Sequence, residues 1–188
     1  DADPGRRHSE SFPFAPAGAA LLCDWSDDDY GLGPVHWLNV PDDGENFRAT
    51  VGLEDSRNVL RFGVSAGMDE HFAAAGAEVA GHCLRESAVE LSDIDVIVAA
   101  PARAGYRAAL ASKLGIPVER IVVAHDDRIH TAALAFALHD LSENLSPGRR
   151  ILLIAAGAGI TTGAALYRES PFTPRRNRPR ADAVHQLS

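Results

Sequence analysis

At 188 residues the chain is long enough for one domain with a real core, and 46% of it is hydrophobic. A formal net charge of -8 argues against a general nucleic-acid or anionic-membrane surface. No apolar run approaches the roughly 18 residues that span a bilayer, and the polar opening "DADPGRRHSE" lacks the apolar core of a signal peptide.

Residues 1–14 read as a polar N-terminal segment and 15–169 as the folded unit. Within that unit "FPFAPAGAALLCDW" predicts a short apolar strand over residues 17–23, followed by the acidic turn "SDDDYGLGP". "VHWLNV" alternates apolar and polar and predicts a second strand. Residues 45–66 read as irregular, with Gly52 and Gly63 as breaks. Over residues 68–90 the period changes to helical: Met68, Phe72, Val79, Cys83 and Leu84 fall near one face. This helix is expected at the centre of the fold. The β-branched run at Val96 to Val98 predicts a buried parallel strand. "RAGYRAALASKLG" predicts a helix stopped by Gly115, with Pro117 just beyond. "VERIVVAH" is a further strand, "TAALAFALHDLSENL" a further helix, and "ILLIAAGAG" and "ITTGAALYRE" two strands about a glycine turn. Residues 170–188 are rich in proline and arginine and read as an exposed tail.

Helices alternating with short apolar strands predict a layered α/β fold, a sheet buried between helices. Cys23 and Cys83 show no metal or redox spacing and read as small buried hydrophobes, which suits a reducing, cytoplasmic setting.

The stretch "HDDRIHTAALAFAL" raises the chemical question. His130 stands where a polar segment turns into an apolar helix. It is a helix-start or core residue, a metal ligand, or a catalytic base. His125 and His130 with Asp126 and Asp127 match no known metal-ligand spacing. The "GAGIT" turn is followed by a strand rather than the helix that a nucleotide loop needs.

Three segments taken together resemble the C-terminal half of a β-ketoacyl-ACP synthase III. They are "LSDIDVIVAAP", "GIPVERIVVAHDDRIHTAALAFAL" and "SPGRRILLIAAGAGITTGAALYR". The resemblance implies half of a thiolase-like fold, layered α-β-α with a mixed sheet. It implies no cofactor and no metal, an acyl-CoA or acyl carrier protein as donor, and a dimer. It also implies an N-terminal half, on the same or a separate chain, that carries the nucleophile.

Two positions depart from the family pattern. Aligned without gaps, Ala100 stands at the family's first catalytic histidine and His130 at its catalytic asparagine. That pair stabilises the enolate formed by decarboxylation, so decarboxylative condensation is not expected. Histidine at the asparagine position resembles a subgroup that transfers acyl groups to hydroxyls or other acceptors in natural-product pathways, antibiotic and polyketide ones included. On that resemblance His130 is the general base, and the Ala158 amide, flanked by Gly157 and Gly159, is the oxyanion donor. Asp126 or Asp127 would orient the imidazole. A catalytically degenerate subunit paired with an active ketosynthase and a thioesterase-like hydrolase are the alternatives.

Overall fold

The computed structural model describes residues 15, 17–23, 25, 27–41, 47–54, 57–142, 146–157 and 159–170. Among the described residues, eight strands and three helices follow one another: β1 (Gly31–Leu32), β2 (His36–Asn39), β3 (Phe47–Glu54), β4 (Arg57–Val64), α1 (Met68–Glu86), β5 (Val96–Ala100), α2 (Ala104–Leu114), β6 (Ile121–Val122), α3 (Ala133–Ser142), β7 (Arg150–Gly157) and β8 (Thr161–Arg168). Short 3-10 turns at Leu91–Asp93 and Val118–Arg120 lead into β5 and β6.

The main sheet runs β1–β8–β7–β5–β6, with β2 also pairing β8. β5 is parallel to β6 and β7, whereas β8 runs antiparallel to β7, β1 and β2. Every residue of β5 is buried, as a strand covered on both faces requires. The pleat divides its apolar residues between two cores. Ile97 and Ala99, opposite Leu152 and Ile154, face α1 and α2; Val96, Val98 and Ala100 face α3 with Ile151 and Leu153. Each valine, leucine or isoleucine among them, once buried, stabilises the fold by about 1.5–3 kcal/mol in transfer terms. A slip of one residue would exchange the two faces, so the register is set by burial on both sides.

Several expectations need correction. Residues 17–23 form no strand: Leu21 and Leu22 lie exposed, and Cys23 is exposed too, because the segment finds no sheet edge to pair with. Cys83 is buried as expected, and burial pushes its thiol pKa up. Within 45–66 the described residues 47–54 and 57–64 are not irregular, since β3 and β4 pair as two antiparallel eight-residue strands. Alternation in "FRATVGLE" carries β3 through its glycine, which cost a side chain but not a strand. α1 ends at Glu86, and its outer side carries Glu70, His71, Glu78, His82, Arg85 and Glu86. That polar stripe is a solvent face, so α1 covers the sheet from outside and is not a central helix. α2 ends as expected, at Gly115 in the left-handed conformation (φ 67°). Among the described residues no helix is long and apolar enough to cross a membrane.

Candidate active site

Three parallel strands deliver their carboxyl ends to one edge of the sheet, where open α/β sheets place their sites. β5 ends at Ala100, β6 leads into residues 123–132, and β7 ends at Gly157. Ala100 lies opposite Ala155, two residues short of Gly157. β2 brings Asn39 to the same edge, because Asn39 pairs with Thr161 and accepts a 2.8 Å hydrogen bond from its hydroxyl. The topology thus gathers Ala100, the His130 loop and the glycine turn.

Ala100 is buried and carries no ionisable group. His130 is exposed, between Ile129 and Ala132, which are each 6% exposed and share one hydrophobic cluster with Ala100 and Ala102. The loop is therefore pinned on both sides of the histidine while the ring stays accessible. The expectation that His130 opens the helix is corrected: α3 begins at Ala133, and the His130 carbonyl accepts the Ala133 N–H at 3.3 Å in a preceding turn. Burial of Ile129 and Ala132 fixes the path of this turn. The helix-end field, which fades within a turn, acts less on the imidazole than a helix-start position would give.

Asp126 shapes this loop. Its carboxylate accepts the Arg128 backbone N–H at 2.9 Å and the guanidinium Nε and Nη2 at 3.2 and 3.1 Å. These bonds hold the Asp126 carboxyl below the usual carboxylate range. Asp127 is exposed, and His125 lies 3.7 Å from the Asp140 carboxylate on α3. A cavity of about 600 Å³ beside the loop is lined by Ala102, Ala104, Arg107, His125, Asp126 and Asp127, among others.

Of the glycine turn, Gly157 closes β7 and Gly159 has φ 77°. Ala158, between them, lies outside the described residues. Ile160 follows at φ 43°, buried, and its carbonyl accepts the Val40 N–H at 2.9 Å.

Sequence reasoning missed one pair at this edge. Arg103, just after β5, clasps Asp69 of α1 with Nε at 2.7 Å and Nη2 at 3.3 Å. The carboxylate sits so close to the start of α2 that a Cβ on Gly105 would overlap it. Arg103 was visible as a cation at a strand end. Asp69, 34 residues away, offered no local signal.

A mixed sheet with α1 and α2 on one face, α3 on the other and its functional loops at one edge is half of a thiolase-like fold. 3-Oxoacyl-(acyl carrier protein) synthase III from Pseudomonas aeruginosa superposes on 80% of the chain with a TM-score of 0.62 at 19% identity, using 48% of its own length. The acyltransferase ChlB3 shares the fold at a TM-score of 0.55 and 22% identity, over 74% of this chain and 47% of its own. Residues 84–169 match the family described as 3-oxoacyl-[acyl-carrier-protein (ACP)] synthase III C terminal. The β-ketoacyl-[acyl-carrier-protein] synthase III of Erythrobacter litoralis is 34% identical over 142 residues, which are 72% of this chain and 41% of that protein. The chain belongs to the β-ketoacyl-ACP synthase III-like family and corresponds to its C-terminal half. It spans less than half the length of that curated relative.

Proposed function

We propose that the chain is the C-terminal half of an acyltransferase of the synthase III-like type. The other half supplies the nucleophile and packs over the α3 face. There an apolar cavity of about 480 Å³ opens between residues 18–23, Phe136 and Leu138 of α3, Leu153 and Tyr167. The observation that carries the reading is the exchange at the carboxyl edge: an inert, buried Ala100 beside a loop that presents His130.

His130 takes the proton of the nucleophile, which attacks the thioester carbonyl of an acyl-CoA or acyl carrier protein. The amide of residue 158 holds the oxyanion. The carbon–sulfur bond breaks, the imidazolium returns its proton to the departing thiol, and the acyl group stays on the enzyme. An acceptor hydroxyl then attacks the acyl-enzyme, His130 takes its proton and passes it to the released nucleophile. Each proton taken is returned, so the histidine ends each half-reaction neutral. Natural-product assembly, as in antibiotic or polyketide pathways, and a dimer complete the reading.

The test replaces His130 in the complete enzyme. His130→Ala is expected to lower acyl transfer by about 10² to 10⁴ with little change in substrate binding, since a general base acts mainly in the transition state. His130→Asn is not expected to rescue it, because an amide cannot accept the proton. Near-wild-type turnover in a folded His130→Ala variant would remove the histidine from the mechanism and leave a catalytically degenerate subunit. Release of free acid without an acceptor would make the protein a thioesterase-like hydrolase.

A further inference from the structure

Away from the carboxyl edge, two histidines from different elements meet. His36 opens β2, anchored by its register against Ala164 of β8, and His82 stands on the outer side of α1. Their Nδ1 atoms lie 3.3 Å apart, with ring centroids 5.2 Å apart and planes inclined at 59°. Two nitrogens bound to one zinc ion at about 2.0–2.1 Å and a tetrahedral angle stand roughly 3.3–3.4 Å from each other. The bite of the pair is the bite that such an ion requires.

We propose that His36 and His82 form a two-histidine site for a divalent transition-metal ion of the zinc type, which ties β2 to α1. Imidazole nitrogen selects zinc, copper or nickel over magnesium and calcium, which prefer oxygen. Glu78 and Glu86 stand four residues to either side of His82 on the exposed side of α1 and add negative charge beside the ion. Among the described residues no group of three or more His, Cys, Asp or Glu could hold a metal, so water completes the coordination. The site is open to solvent at His82, which provides an entry path.

A shared proton also accounts for two ring nitrogens at this distance, one ring donating to the other. Zinc titration of the tag-free full chain by calorimetry, with cobalt(II) absorption as a second readout, separates the two. One ion per chain is expected. His36→Ala and His82→Ala should each weaken binding by about tenfold or more, since even outer-sphere partners of metal ligands cost that much. His71→Ala, elsewhere on the outer side of α1, should bind as the wild type does. His82 is exposed on a helix, so its variant folds independently of metal, which circular dichroism checks. Absence of zinc binding in the wild type, or equal binding in His82→Ala, would overturn the site and leave a proton-sharing pair.

Discussion

At the scale of single residues, the proposed chemistry depends on a loop in which one carboxylate makes three hydrogen bonds. Asp126 makes three hydrogen bonds to Arg128, and the residues beyond it are held by burial of Ile129. Its lowered pKa fixes the sign of the pH dependence. A carboxylate with a depressed folded value contributes stability above its unfolded pKa of about 3.9 and loses it as pH falls through the lower folded value. Loop order is therefore expected to persist through mildly acidic pH and fade only below the ordinary carboxylate range. The Arg128 amide resonance, followed by NMR in acid titration, should move late; Asp126→Asn should abolish that late transition while keeping the backbone hydrogen bond. An early transition near pH 5 in the wild type would contradict the assignment. In the sequence, the ungapped register was enough to bring Ala100 and His130 to one edge. It could not show that His130 precedes α3 by a turn, because that depends on which of Ile129 and Thr131 the core accepts.

Among elements, α1 approaches α2 and β7 closely at Gly76. A Cβ at Gly76 would meet the Tyr106 hydroxyl at 3.2 Å, Ile154 Cγ2 at 3.4 Å and Leu110 Cδ1 at 3.5 Å. Tyr106 is fully buried, its hydroxyl has no hydrogen-bond partner among the described residues, and its ring meets Phe72 edge-on with centroids 6.4 Å apart. Gly76→Ala gains about 1 kcal/mol of helix propensity. Overpacking of about 1–3 kcal/mol opposes that gain. The net expectation is a lower urea midpoint at unchanged slope. In a Tyr106→Phe background, which removes the atom nearest the new methyl, the same substitution should cost less. Equal cost in both backgrounds would show that the hydroxyl is not the obstacle. The helices and the longer parallel strands β5 and β7 were legible because each has a run facing a core. The β3–β4 pair was not, since its eight-residue strands pair with each other and carry glycines that mimic loop breaks.

For the molecule as a whole, the prediction concerns a reaction that should be missing. Ala100 occupies the strand end where the resemblance puts a histidine, so nothing there can share the charge of a malonyl enolate. Labelled malonyl-ACP given to the complete enzyme should release no carbon dioxide at a synthase-like rate. Each missing donor is worth about 2.7–4 kcal/mol of transition-state stabilisation, or roughly 10² to 10³ in rate. Rapid release would mean that another group has taken over the enolate. The two-faced core and the paired motifs made half of a thiolase-like fold readable from sequence. The exposed Leu21, Leu22 and Trp25 on the surface were not readable, because exposure of an apolar run depends on what else packs there.

The reversal at Gly159 and Ile160 has a consequence for timing. A buried isoleucine at φ 43° sits in backbone space that β-branched residues avoid, at a cost of about 1–3 kcal/mol. The surrounding core and the Val40 hydrogen bond hold it there before any substrate arrives. The turn at these two residues is thus wound during folding, once, and on the proposed function a thioester would meet backbone already set there. Ordering entropy that a floppy loop would surrender at every turnover is surrendered here only when the chain first folds.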